Sequence, residues 1–328
     1  MAKLVLGIGT SHTPMLNASL QDWPRFVERD KDRPHLDKEG RSITYDGLVA
    51  AAGPHIAAYL APERMAESHA TATRCMADIT HLLEGSALDA LIVVGDDQKE
   101  LYFENNLPSV LIYYGETIRN APRRQSQPDD PWFMRASARY YEEREPRDFP
   151  VDSRLSRHLI QSLIDDDFDI ATANALPDGT SEGHAFGFVH KRLMNGSVLP
   201  VVPVFLNTYY PPNQPTPRRC YRLGQAIRRA VEAFPGDTRI GIIASGGLSH
   251  FTVDEELDGT VVRALREKNA ESLHALPRNK LNSGSSEIRN WICVAGAVET
   301  LDLDWIVYRP GYRTPAGTGT GLCFAAWR

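Results

Sequence analysis

The sequence has no paired cysteines. Its four, Cys75, Cys220, Cys293 and Cys323, stand far apart with no CxxC among them, which argues against a zinc knuckle or a redox dithiol and for free thiols in a reducing compartment. It also lacks any apolar run near the roughly 20 residues that a membrane helix needs. The opening stretch, MAKLVLGIGTSH, is too short in its apolar part and too broken by glycine for a secretory leader. A cytoplasmic protein with no membrane partner is expected. No basic block occurs, and the formal net charge over 328 residues is -6, so no nucleic-acid partner is expected either. Common catalytic signatures are missing too. Gly7-Ile8-Gly9 follows a strand-like run but lacks the third glycine of a dinucleotide fingerprint. There is no GxxxxGK[ST] and no HExxH, and Ser245-Gly246-Gly247-Leu248-Ser249 does not have the spacing of a nucleophile elbow.

What is present is a large apolar fraction, 42%, enough to fill the interior of one large domain. Short runs rich in Val, Ile and aromatics predict strands at Lys3–Gly9, Ala90–Gly95, Val110–Tyr114, Phe168–Ala173, Val198–Leu206, Arg239–Ser245 and Trp305–Tyr308. Between them lie helical stripes. Leu155, Leu159 and Leu163 form one, opened by Asp152 or Ser153 as a cap. Leu223, Ile227, Ala230, Val231 and Phe234 form a second, stopped by Pro235-Gly236, and Ile288, Trp291, Ile292, Ala295 and Val298 a third. Residues 56–84 read as a long helical region broken near Pro62. Strands alternating with helices predict an α/β fold, a mixed central sheet flanked by helices in a single catalytic domain over residues 1–328. Two polar stretches rich in Pro and Arg, about 22–45 and 120–150, read as surface excursions that cover a site or form an interface.

Several polar residues fall just after predicted strands, where ligand sites of α/β sheets gather. They are His12 in GTSHTP, Asp96, Asp97 and Gln98 in VVGDDQ, and His250 in SGGLSH. His184 sits in the turn-rich EGHAF, and Glu287 opens a helix in SGSSEI. A single histidine is more often structural or exposed than functional, and an acidic residue at a helix start is ordinary dipole chemistry. Together, imidazoles and a carboxylate in loops after strands suit a divalent transition metal with open positions.

The stretches GTSHTPM, VVGDDQ, SEGHAFG, ASGGLSHF and SGSSEIRNW resemble, in order, the motifs of class III extradiol dioxygenases, the enzymes related to the catalytic subunit of protocatechuate 4,5-dioxygenase. NTYYPPNQPT at 207–216 and AGTGTG at 316–321 are most similar to the 3-O-methylgallate dioxygenases. The resemblance implies an Fe(II) site in which His12 and Glu287 are ligands, and it implies that His250 is the acid–base histidine and His184 a substrate-contacting one. Where the protocatechuate enzyme has Asn-Asp-His, this chain has Asp96-Asp97-Gln98. Gln98 thus stands at the second ligand-histidine position, with Asp97, a water or His184 as alternative ligands. Thr13, Thr318 and Thr320 are candidates for orienting the ring substituents. The implied reaction opens a catecholic acid with O2 beside its hydroxyls. Protocatechuate, gallate, an aminophenol or a dihydroxypyridine are alternative substrates. A non-catalytic metal-binding or redox member of the superfamily, or a metallohydrolase, are alternative functions. A stand-alone homodimer that covers its own site is expected.

Overall fold

The computed structural model describes residues 1–123, 129–194 and 196–328. Among these residues the strands build an eight-stranded mixed sheet. In chain order they are β1 (Lys3–Thr10), β2 (Ala90–Asp96), β3 (Val110–Tyr113), β4 (Ala171–Ala173), β5 (Val201–Leu206), β6 (Arg239–Ser245), β7 (Leu303–Tyr312) and β8 (Gly319–Trp327). Across the sheet the order is β7-β8-β1-β6-β2-β5-β3-β4. The centre, β1, β6, β2 and β5, is parallel. The hairpin β7–β8 and the pairs β8–β1 and β5–β3 are antiparallel. The central strands are apolar on both faces, as a sheet covered on both sides requires. Ile92, Val94, Ile240 and Ile242 feed one core layer, while Leu91, Val93 and Ile243 feed the other.

The first layer is closed by α2 (Ser153–Asp165), α4 (Pro217–Ala233), α5 (Glu255–Arg266) and α6 (Ile288–Ala297). The second is closed by α1 (Pro62–Gly85), which buries Cys75, Met76, Ile79 and Leu83, and by the short α3 (His184–Phe188). Asp152 caps α2 through its side chain, accepting from Leu155 N at 2.8 Å. α4 and α6 cross almost in backbone contact: a Cβ built on Gly224 would lie 1.8 Å from the Cys293 carbonyl oxygen.

Both expected excursions run largely along the surface but are anchored by buried residues. In the first, Trp23, Phe26, Asp30 and His35 are buried, while residues 31–34 and much of the small hairpin His35–Leu36/Ser42–Ile43 are exposed. In the second, Trp132, Tyr140, Tyr141 and Phe149 are buried in the second core layer; residues 124–128 of that stretch lie outside the described residues. The polar residues between these aromatics hid their packing role. No helix among the described residues is long and apolar enough to cross a membrane. All four cysteines are buried and free.

Candidate metal centre and active site

Because β1, β6 and β2 run parallel, with Thr10 beside Ser245 and Val94 beside Ala244, their carboxyl ends lie together on one edge. His12 follows β1, Asp96 ends β2 and His250 follows β6. Glu287 sits at the joint between a single turn, Ser283–Glu287, and α6. His184 begins α3. Ligand atoms of His12, Asp96, His184 and Glu287 all lie within 4.8 Å of one another.

Each side chain is held by identifiable partners. The Ser245 hydroxyl donates its one proton to Ala185 O at 2.7 Å, so toward His12 Nδ1, 3.0 Å away, it accepts. His12 therefore carries its proton on Nδ1 and turns a bare Nε2 lone pair inward. That nitrogen is buried and makes no hydrogen bond, although Glu287 Oε2 is 3.1 Å away. Two lone pairs facing each other at that distance repel unless a cation lies between them. Glu287 Oε2 also accepts from Gly247 N at 3.0 Å. Its Oε1 accepts from Tyr209 OH at 2.8 Å and faces His250 Nε2 at 3.1 Å. The His250 Nδ1–H donates to Leu248 O at 2.8 Å, which leaves Nε2 as the nitrogen free to exchange a proton. The loop packed on that ring has no room for a side chain: a Cβ on Gly284 would be 2.0 Å from His250 Cδ2.

His184 is clamped from outside the cluster. Glu100 Oε2 accepts from its Nδ1 at 2.5 Å and from its backbone N at 2.9 Å. Tyr141 OH donates to the other Glu100 oxygen. Burial works against charge on both members. The pair's mutual attraction outweighs it, holding Glu100 down at about 2 and raising His184 to about 10.

Gln98 lies inside the cluster. Its amide nitrogen is 3.0 Å from Tyr209 OH, 3.2 Å from both Glu287 Oε1 and His184 Nε2, and 3.4 Å from Asp96 Oδ2. Two N–H donors cannot serve four neighbours. A protonated His184 would itself need an acceptor, which the amide offers only when turned end for end. Asp97 is occupied elsewhere. It accepts from the backbone N of Glu100, Leu101 and Tyr102 at 3.0–3.1 Å, so it caps the loop rather than facing the cluster.

Burial, together with the Glu287 charge, pushes Asp96 up to about 8. Burial also opposes charge on Glu287, but His250 and His12 hold it well below the usual carboxylate range. Burial lowers His12, whereas the Glu287 charge overcomes burial to raise His250. No lysine or arginine among the described residues pairs with Asp96 or Glu287. Two buried carboxylates with no lysine or arginine partner among the described residues, beside a bare imidazole nitrogen, fit a divalent metal ion.

Of the threonines expected near the substrate, Thr13 and Thr320 are hydrogen-bonded to each other at 3.2 Å. The Thr320 methyl packs against Gly247, beside His250. Thr318 is turned away: its hydroxyl donates to Asp30 at 2.6 Å and accepts from the Thr314 hydroxyl at 2.7 Å, because the buried Asp30–Arg313 ion pair recruits it. In the sequence Asp96 stands out only as one of the polar residues after a predicted strand, and Tyr209, Glu100 (two positions beyond Gln98) and Tyr140, which donates to the His12 carbonyl, carry no signal of a role. A small cleft lined by Pro34, His35, Leu36, Phe251 and Lys280 opens beside His250.

The sequence model of a family described as the catalytic LigB subunit of aromatic ring-opening dioxygenase matches residues 53–322. Among characterised proteins, gallate dioxygenase of Pseudomonas putida is 39% identical over 111 residues, 32% of this chain and 31% of that protein. A 2,3-dihydroxyphenylpropionate/2,3-dihydroxicinnamic acid 1,2-dioxygenase of Cupriavidus necator is 32% identical over 114 residues, 34% of this chain and 33% of that protein. The matched segment spans about a third of the length of each relative. With the family match running over most of the sequence, the chain belongs to the LigB family of class III extradiol, aromatic ring-opening dioxygenases.

Proposed function

We propose that this chain is a non-haem Fe(II) dioxygenase that opens the ring of a catecholic acid, with 3-O-methylgallate as its substrate, at a bond beside the two hydroxyls. The observation that carries the reading is the unpartnered Nε2 of His12 aimed at Glu287 inside a buried cluster with no lysine or arginine partner among the described residues. His12 and Glu287 would hold the iron, completed by a group at the end of β2, either Asp96 or Gln98. When bound, Fe(II) supplies open positions at which catechol and O2 meet and exchange electron density.

The chain's own residues do the rest. His250, its Nδ1–H tied to Leu248 O, takes a proton from a substrate hydroxyl at Nε2 and later returns it. Glu100 holds His184 so that its Nε2 reaches a substrate hydroxyl. Thr13 and Thr320 orient the ring substituents. The hairpin at 35–43 leans on Thr252, whose hydroxyl donates to Leu36 O at 2.8 Å, so the chain covers the His250 side itself. In this reading residues 1–328 form one catalytic domain, acting as a cytoplasmic homodimer without a separate covering subunit. The likeness to gallate dioxygenase favours gallate as the second substrate to try.

The test is anaerobic loading with Fe(II) followed by O2 uptake with 3-O-methylgallate, gallate and protocatechuate. Stoichiometric uptake on a catecholic acid is expected. No uptake on any of them by the iron-loaded protein overturns the reading. His250→Phe is expected to lose turnover while still binding substrate.

A further inference from the structure

Resting on the metal reading above, we propose that Asp96 supplies the third protein ligand, so that this chain holds its divalent cation on one histidine and two carboxylates. Gln98, which stands at the position of a ligand histidine in the related enzymes, then serves as a hydrogen-bond donor to the site.

Three observations carry this. First, an Asp96 oxygen lies within 4.8 Å of the ligand atoms of His12, His184 and Glu287, and its side chain is fully buried. Second, its oxygens are poorly served. Among the described residues they receive only two amide N–H groups, Asn290 Nδ2 and Gln98 Nε2, both at 3.4 Å, where an ionised carboxylate ordinarily takes bonds of about 2.7–2.9 Å. The adjacent Asp97 shows the contrast, with three backbone donors at 3.0–3.1 Å. A buried carboxylate without a cation or short donors is costly, and a divalent ion is the partner that the cluster is built to admit. Third, the alternatives are engaged. The Gln98 amide has Tyr209, Glu287 and His184 as partners at 3.0–3.2 Å, whichever way it is turned. The Glu100 clamp holds His184 through Nδ1 on α3, and its Nε2 stands 3.9 Å from Asp96 Oδ2, within reach of an ion pair with that carboxylate.

Two carboxylates neutralise a divalent ion outright, whereas two histidines and one carboxylate leave it a net positive charge. The site therefore suits hard, oxygen-preferring ions of the Fe(II) and Mn(II) type.

The experiment uses the full chain, freed of metal and titrated anaerobically with Co(II), read by calorimetry and by the visible ligand-field bands. Asp96→Asn keeps the shape and removes the charge. It is expected to weaken Co(II) binding at least about a hundredfold and to change the bands. Gln98→Ala is expected to lose no more than about tenfold, the lower end for an outer-sphere group, and to keep the parent spectrum. Asp96→Asn binding with the parent's affinity and spectrum overturns the proposal, and so does a loss that follows Gln98→Ala instead. Should Asp96→Asn fail to fold by circular dichroism, Asp96→Glu decides: shifted bands support ligation and unshifted bands overturn it. Failure of the parent to bind Co(II) or Fe(II) sinks the metal reading itself, a result distinct from a parent-like Asp96→Asn.

Discussion

Replacing Glu100 by Gln removes the charge that holds His184 while nearly preserving shape. Both side chains are almost wholly enclosed, 10% and 12% exposed, so solvent screens the pair little. Glu100 normally titrates at 4.5 and here at about 2, a difference worth about 3 kcal/mol, in line with the 3–5 kcal/mol typical of breaking a buried ion pair. The sign follows from the direction of each displacement. The depressed Glu100 stabilises the fold above 4.5 and loses this as pH falls toward about 2. The raised His184 stabilises it below 6.5 and loses this as pH rises through about 10. The pair is therefore at full strength between pH 4.5 and 6.5. Urea unfolding of the metal-free protein at pH 6 should find Glu100→Gln less stable by about 3 kcal/mol, with the gap narrowing toward pH 2.5 and toward pH 10. Carbon-detected NMR of the His184 ring should move its titration from about 10 in the parent down to or below the ordinary histidine value. A variant as stable as the parent at pH 6, with His184 still titrating near 10, would refute the clamp.

Three further outcomes follow from contacts described above. Ser245→Ala frees His12 Nδ1 and should weaken metal binding by about 10- to 100-fold, measured by calorimetry, with little change in folding. Arg313→Met leaves Asp30 buried without its ion-pair partner and should cost about 3–5 kcal/mol in urea unfolding; adding Asp30→Asn should recover part of it. Gly224→Ala drives a methyl into the Cys293 carbonyl and should cost more than the roughly 1–3 kcal/mol of ordinary overpacking, seen as a lowered thermal midpoint.

The central strands were legible because Val and Ile runs buried on both faces leave little choice of structure, and Arg239–Ser245 was read to the residue. β8 was not read as a strand. GTGLCFAAW is dominated by small residues whose strand character comes from pairing with β1 and β7, a tertiary cause that no local pattern carries. The strand expected at Phe168–Ala173 begins only at Ala171, since Phe168 instead closes α2 by donating its backbone N–H to Leu163 O, with Asp167 in a left-handed turn before it. In the site, His12, His184, His250, Gln98 and Glu287 were nameable from motifs, and the fold brings them together. The groups that orient them were not. Glu100 reaches a histidine 84 positions away, and Ser245 acts through one hydroxyl proton. Such partners are set by the packing of distant elements, not by spacing along the chain.

The ligand candidates come from distant parts of the sequence. His12 follows β1, and Glu287 stands at the start of α6. On the proposed reading a nascent chain cannot assemble the metal site until α6 has emerged from the ribosome and docked beside β1. On that reading a truncation that removes α6 also loses the support of Glu287 at its start, so metal occupancy would report that α6 has docked.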